Sequence, residues 1–228
     1  FTYNLVDFPS LYNTIGFIGI YETMKKFGYI RVDELGDTYY TDKASAFGEK
    51  IFKTMRATAD KFIKENNCDY QINTEQIPGE SAAAKLMKKD KFFYPNANIY
   101  DLPLYGNQFI PLGIKTTGQE RVRIASEFDG YCSGGSILHY NIDAPFDSFE
   151  KAWKMTNYIS DQGVTYFAFN TKIQACKHNH AFYGTKCPVC GEPVDTEFTR
   201  IVGFYTPVKT YSKERKAEFE MRKWGDIN

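Results

Sequence analysis

The chain predicts an α/β fold built partly on parallel strands. Three observations lead there. Stretches with helical periodicity alternate with short apolar runs rich in aromatic and β-branched residues. Each run is separated from the next by a helical stretch, as a parallel crossover requires. The 228 residues are 43% hydrophobic, with 19 Phe and 17 Tyr, which is enough for a substantial core in one large or two small domains.

In chain order, residues 14–27 come first. Ile15, Phe17, Ile18, Ile20, Met24 and Phe27 form an apolar face, and Gly16 and Gly19 suit a closely approaching backbone or the start of a buried helix. The clearest helix spans 43–65, where Ala44, Phe47, Ile51, Met55, Ala59 and Phe62 recur at three- and four-residue spacing behind Asp42 as cap. A shorter helix over 80–89 follows Pro78-Gly79. Two more are expected over 118–128 and 146–162, the second entered through Pro145 with Asp147 or Ser148 as cap. The strand-like runs are 69–72, 136–140 and 164–170. Past residue 171 the chain becomes turn-rich, and an amphipathic helix over 212–223 follows. Three segments result: 1–171, an α/β body; 172–197, a cysteine-rich module; and 198–228, a glycine-containing loop and a helix. The chain lacks an initiator Met and enters mid-pattern at Phe1-Thr2-Tyr3-Asn4, so it is read as a piece of a longer polypeptide.

Lys+Arg and Asp+Glu balance at 28 each, which removes any general pull towards nucleic acid or an anionic membrane. The basic runs 85–91 and 209–223 are interspersed with acids and fit solvated helix faces. No run of about 18 apolar residues predicts a membrane span, and the N-terminus lacks a signal-peptide pattern. Five cysteines, three of them between Cys176 and Cys190, suit metal binding in a reducing compartment rather than a disulfide framework; the expectation is a cytoplasmic protein.

Cys187-Pro188-Val189-Cys190-Gly191 is a CPxCG knuckle. Two thiolates separated by two residues can grip one tetrahedral ion, and the glycine permits the tight turn that aims backbone amides at sulfur. Upstream stand Cys176, His178 and His180. A Cys3His zinc site follows: Cys176, Cys187, Cys190 and one histidine. His180, immediately before Ala181-Phe182-Tyr183-Gly184, is preferred, with His178 as the competitor. Four protein ligands close such a site, making it structural rather than catalytic. After the knuckle, Thr199 to Pro207 reads as a strand or loop with one flexible residue, Gly203.

The knuckle, then Arg200-Ile201-Val202-Gly203-Phe204-Tyr205-Thr206-Pro207-Val208, then a charged helix with Lys216-Ala217-Glu218-Phe219 and Arg222, resembles the end of the anaerobic (class III) ribonucleoside-triphosphate reductases, a glycyl radical enzyme family. Upstream segments are similar too: Ile15-Gly16-Phe17-Ile18-Gly19, Asn73 to Ser81, Tyr94-Pro95-Asn96 with Leu102-Pro103, and Gly134-Gly135-Ser136 with His139. The resemblance covers essentially the whole chain, and its specific parts are the knuckle and the glycine loop.

The resemblance implies the second half of a ten-stranded α/β barrel, followed by a zinc module and a glycyl radical loop. It implies anaerobic reduction of ribonucleoside triphosphates to 2′-deoxyribonucleoside triphosphates, with the radical on Gly203. That radical is installed by an activating enzyme that uses S-adenosylmethionine and a [4Fe-4S] cluster. A homodimer under allosteric nucleotide control, ATP included, is also implied, with formate, a thioredoxin-like protein or ferredoxin as reductant. The chain departs from the pattern in two places. Asn179 stands where many relatives have the second cysteine of a pair begun by Cys176, and the cysteine that forms the thiyl radical should precede Phe1. Cys132 is read as a packing residue and Cys68 as structural. Gly134-Gly135-Ser136 is read either as a phosphate-binding run of free amides or as a plain turn; Asn73 and Glu75 point the same way on an extended segment. Two rivals are a glycyl radical enzyme of the pyruvate formate-lyase type and a zinc-ribbon interaction module without catalysis.

Overall fold

The computed structural model describes residues 11–201 and 203–225. In chain order the elements are β1 (Tyr12–Phe17), α1 (Ile20–Lys26), β2 (Ile30–Val32), β3 (Thr38–Tyr40), α2 (Asp42–Glu65), β4 (Gln71–Gln76), α3 (Glu80–Phe93), α4 (Gly118–Asp129), β5 (Leu138–Asn141), α5 (Phe149–Asp161), β6 (Phe167–Asn170), β7 (Ile173–Ala175), β8 (Ala181–Phe182), β9 (Thr196–Arg200), β10 (Tyr205–Pro207) and α6 (Lys213–Met221).

The alternation expected of a parallel α/β body is present. β1 pairs with β4 and β5 pairs with β6, both parallel, and a bridge from Glu75 to Gly135 sets the approach to β5 beside β4. Helices connect the parallel partners, with α2 between β1 and β4 and α5 between β5 and β6. A short antiparallel hairpin, β2–β3, precedes α2. Beyond β6 the architecture changes to a four-stranded antiparallel sheet in the order β10-β9-β7-β8. This sheet crosses the expected boundary between 197 and 198, because β9 starts at Thr196. No helix among the described residues is long and apolar enough to cross a membrane.

Several expectations shift. The apolar face over 14–27 divides between two elements: residues through Phe17 form β1, Gly19 takes a left-handed φ of 81° as the N-cap, and α1 begins at Ile20. Thr41, not Asp42, caps α2 through its side-chain oxygen. The buried stripe of α2 also lies one residue round from the expected one. Phe52 is its centre, packed against Phe17, Phe109, Phe128 and Tyr131 at ring separations of 5.1 to 6.2 Å, while Phe62 is exposed. Gly48 lets α2 approach α4, since a Cβ there would sit 2.5 Å from the Phe128 ring. The helix expected from residue 146 starts at Phe149, with Ser148 as its cap. Each strand-like run keeps its place but starts two or three residues later, and α3 runs on to Phe93.

Candidate functional site

The cysteine-rich segment folds around two tight turns. β7 delivers Cys176, and the chain reverses through Asn179, whose φ of 64° is left-handed and whose amide donates to Cys176 O at 2.9 Å. That reversal returns the Cys176 amide to His180 O, so β8 runs back along β7. In the knuckle, Gly191 at φ 75° donates to Cys187 O, and Cys187 donates to Glu192 O, each at 2.9 Å. A residue with a Cβ would be strained at Gly191. Phe182 and Val194 pack against Cys176 and Cys187, and a Lys177–Glu192 ion pair links the two turns from outside.

These turns bring four candidate ligands together. One ligand atom each from Cys176, His180, Cys187 and Cys190 lies within 4.8 Å of all the others. Cys176 Sγ is 3.7 Å from Cys190 Sγ, and Cys187 Sγ is 3.5 Å from His180 Nδ1. His178 stands outside this group on the exposed side of the turn, its ring 6.1 Å from that of His180. Burial alone would push the Cys187 thiol up. The amides of Cys190 and Val189 and the side chains of Cys190 and His180 more than offset this and bring it down to about 6. The Cys190 thiol moves upward: the Glu192 amide lowers it, but burial and the Cys187 and Cys176 sulfurs outweigh that.

Gly203 lies in the loop of the β9–β10 hairpin, where Arg200 pairs with Tyr205 and Thr199 with Thr206. Its φ is not left-handed, so backbone conformation does not by itself demand glycine there. Among the described residues a Cβ would meet only the Tyr166 hydroxyl, at 3.3 Å. The Arg200 guanidinium donates to Gly203 O and lies 4.6 Å over the Tyr205 ring. Phe204 does not shield the loop within this chain; it is 70% exposed. Val202 lies outside the described residues.

A buried polar network holds the hairpin to the α/β body. The Asn170 amide oxygen, at the end of β6, accepts from Thr199 Oγ1 at 2.9 Å and from Arg200 N at 3.0 Å. Asn170 Nδ2 donates to Asn141 Oδ1 on β5 at 2.7 Å. Arg222, at the C-cap of α6, donates to Arg200 O at 2.9 Å, and Tyr211, just ahead of α6, donates to Thr199 O at 3.1 Å. Glu218 receives Arg222 through two bonds of 2.9 Å and Arg215 through one of 3.2 Å. Burial pushes the Glu218 carboxyl up, but the two arginines outweigh it and hold it below the usual carboxylate range. The Tyr205 hydroxyl reaches Thr171 Oγ1 at 3.2 Å. The cluster of candidate ligands and the glycine hairpin therefore share one sheet: β7 leads to Cys176, and its neighbour β9 leads to Gly203.

The remaining sequence candidates take other positions. Gly134 and Gly135 are not free anion-binding amides, since they donate to Thr74 O and Cys132 O at 2.8 Å each. They form the turn that approaches β5. Asn73 and Glu75 do share a face of β4, backed by Gly134, and the Asn73 amide oxygen accepts from Thr14 Oγ1 at 2.7 Å. Cys132 is buried, its thiol pushed up to about 12 chiefly by burial, as a packing residue would be.

A sequence profile of the anaerobic ribonucleoside-triphosphate reductases matches residues 6–224. The chain belongs to this family. Solved structures agree. An anaerobic ribonucleotide reductase superposes with a TM-score of 0.88 at 38% identity over 94% of this chain and 34% of its own. The Thermotoga maritima enzyme with glycerol in the active site gives 0.83 at 38% identity, over 91% of this chain and 33% of its own. The same enzyme in complex with dATP and CTP gives 0.80 at 37% identity, over 92% and 33%. The chain thus spans about a third of the length of these relatives. No curated protein sequence matches it significantly.

Within the reductase family frame, sequence reasoning missed the residues that carry the hairpin: Asn141, Asn170, Glu218 and Arg222. For the last two a signal existed, because Glu218 and Arg222 stand four apart on a helix and face the same way. For the asparagines there was none. A single polar residue at a strand end reads as a turn former until its partner from another element is known.

Proposed function

We propose that this chain is the C-terminal part of an anaerobic reductase that converts ribonucleoside triphosphates to 2′-deoxyribonucleoside triphosphates, with Gly203 as its radical residue. The observation that carries this reading is the physical continuity of two motifs. A Cys3His cluster and a glycine hairpin share a sheet, in a chain of the reductase family. In this reading the α/β body is the second half of a ten-stranded barrel, residues 172–197 are a zinc module, and 198–228 carry the radical loop.

The four candidate ligands fit zinc. Tetrahedral coordination with Zn–S bonds of about 2.3 Å requires sulfurs about 3.8 Å apart, and Cys176 and Cys190 are at 3.7 Å. When bound, the ion supplies structure rather than chemistry, since no ligand position is left for water. Cys176, His180, Cys187 and Cys190 would hold β8 and the knuckle against β7, and so brace the sheet that carries β9.

Gly203 suits hydrogen-atom loss. Removing one Cα hydrogen leaves an electron shared between the flanking amide nitrogen and carbonyl, which needs a planar Cα that a side chain would crowd. The resulting C–H bond is close in strength to a thiol S–H bond, so a cysteine from upstream of Phe1 can exchange a hydrogen atom with it. The thiyl so formed removes the ribose 3′-hydrogen, the 2′-hydroxyl leaves as water, and a reductant completes the deoxynucleotide. A partner enzyme with S-adenosylmethionine and a [4Fe-4S] cluster would install the radical. A relative in this family binds dATP and CTP, and the same nucleotide classes are proposed as effector and substrate here, in a homodimer.

The experiment is anaerobic activation of the complete enzyme with its iron–sulfur partner. An electron paramagnetic resonance doublet from one α-hydrogen, together with deoxynucleotide formation, supports the reading; residues 1–228 assayed alone should form none. Turnover by the isolated chain would overturn the upstream thiyl and turn attention to Cys132.

A further inference from the structure

We propose that Arg200 is the positioning residue of Gly203: it fixes the Gly203 peptide plane and strengthens its carbonyl as the electron-accepting side of a Cα-centred radical. This inference rests on Gly203 being the radical residue.

Arg200 is the only side chain of the hairpin in hydrogen-bond contact with the Gly203 carbonyl among the described residues. Everything else about Arg200 is immobilised. Its amide donates to Asn170 Oδ1 at 3.0 Å, and its carbonyl accepts from Arg222 at 2.9 Å. Its guanidinium lies 4.6 Å over the ring of Tyr205, its pairing partner across the hairpin. The Tyr205 ring is itself held by its hydroxyl contact with Thr171. With the backbone pinned at both ends and the guanidinium face stacked, the Nη1 donor has one direction to point, and Gly203 O lies there. Tyr166 faces the Gly203 Cα, its hydroxyl 3.3 Å from where a Cβ would stand. The glycine is held at its oxygen and faced at its carbon.

A second observation separates this role from simple bracing. Arg200 Nε is buried and has no hydrogen-bond partner among the described residues. An unspent buried donor on a cation is costly, so a residue kept only to stabilise the hairpin would not be an arginine in this pose. The pose is the one that combines stacking on Tyr205 with a bond to Gly203, and only a planar guanidinium makes both.

The chemistry gives that bond a use. A hydrogen atom leaves Gly203 Cα, proton and electron together, for the carbon-centred radical supplied by the activating enzyme, and Arg200 neither gains nor loses a proton. The electron left behind is stabilised only while Cα stays coplanar with both of its peptide groups. A charge-assisted hydrogen bond at the carbonyl oxygen restrains that plane and draws spin density from Cα towards the carbonyl.

The test uses the full-length enzyme activated anaerobically with its iron–sulfur partner, comparing wild type, Arg200→Gln and Arg200→Lys. Spin per chain, α-hydrogen hyperfine splitting, zinc content and nucleotide KM are measured. Arg200→Gln should lower spin per chain about tenfold, the size expected for losing a hydrogen bond to a charged group. It should also enlarge the splitting, as spin returns to Cα, with zinc and KM unchanged. Arg200→Lys, which keeps the charge, should recover part of the spin while its splitting stays displaced from wild type. A wild-type splitting in Arg200→Lys overturns the proposal, even if Arg200→Gln misfolds. Wild-type spin and splitting in a folded Arg200→Gln overturn it as well. A wild-type enzyme without any glycine-centred doublet refutes the radical assignment itself, and the two failures are thereby distinguished.

Discussion

Asn170 and Thr199 are both fully buried, and the Thr199 hydroxyl donates to the Asn170 amide oxygen at 2.9 Å. One residue ends a parallel strand of the α/β body and the other lies in the antiparallel sheet that carries the glycine hairpin. Their bond is the joint between the two architectures. Because the same oxygen also takes the Arg200 amide, the register of the hairpin on the body is set at one atom.

Replacing that atom should loosen the hairpin without dissolving the body. Asn170→Ala strands the Thr199 hydroxyl and the Arg200 amide in a buried site, at about 2 kcal/mol for local opening. Amide hydrogen exchange over β9 and β10 should accelerate about 30-fold while α2 and α4 keep their protection. Unchanged exchange in the hairpin would mean that Arg222 and Tyr211 alone hold it.

The Cys3His cluster should bind one zinc per chain in anaerobically prepared protein. Cys187→Ser should lose the metal and disorder the segment from Lys172 to Ile201, and a strong chelator should do the same to the unaltered protein. His180→Ala should weaken binding more than His178→Ala, because only His180 Nδ1 lies with the sulfurs. Metal analysis that finds no zinc, or the reverse order for the two histidines, would refute the assignment.

Gly203→Ala should be silent structurally and fatal functionally. The backbone there is not left-handed, and among the described residues the new methyl meets only the side-chain hydroxyl of the exposed Tyr166, at 3.3 Å, which must give by a few tenths of an ångström. Circular dichroism and zinc content should match wild type, while the radical signal and deoxynucleotide formation disappear. Air should cleave the activated wild-type enzyme at Gly203, releasing a peptide that begins near Phe204. Activated enzyme that stays whole and active in air contradicts the radical assignment.

Burial of Glu22 should make stability fall as pH rises. Its carboxyl is 2% exposed; one oxygen accepts the Gly106 amide at 3.0 Å and the other has no partner among the described residues. Burial raises its pKa from 4.5 to about 7. Below pH 4.5 the group is neutral both folded and unfolded and costs nothing. Between there and about pH 7 the unfolded chain ionises first, so the folded state loses ground, by at most about 3 kcal/mol above pH 7. Glu22→Gln should therefore stabilise the protein at pH 8, have little effect at pH 4, and flatten the unfolding midpoint between. Parallel pH profiles for variant and wild type would remove Glu22 as the cause.

The alternation of helices and strands, the long helix α2 and the change of character past residue 171 were legible in the chain, because each is a local pattern. A three- and four-residue apolar spacing can only be buried as a helix. Two cysteines two residues apart in a CPxCG turn must converge, whatever surrounds them. The face of α2 that is most buried was not legible: Phe52 becomes its centre only because Phe17 of β1, Phe128 of α4 and Phe109 of the segment before α4 converge on it. The preference for His180 came from its place before the 181–184 turn, but what turns it inward was not legible: Asn179 takes a left-handed φ, so that His180 faces the sulfurs and His178 faces out. The anchoring of Gly203 lay furthest from local pattern. Asn141, Asn170, Glu218 and Arg222 come from β5, β6 and α6 and its C-cap, and their amide and charged groups acquire a role only when burial removes water as the alternative partner. Local periodicity determines which segments form elements; desolvation across distant segments decides which polar atoms must find one another.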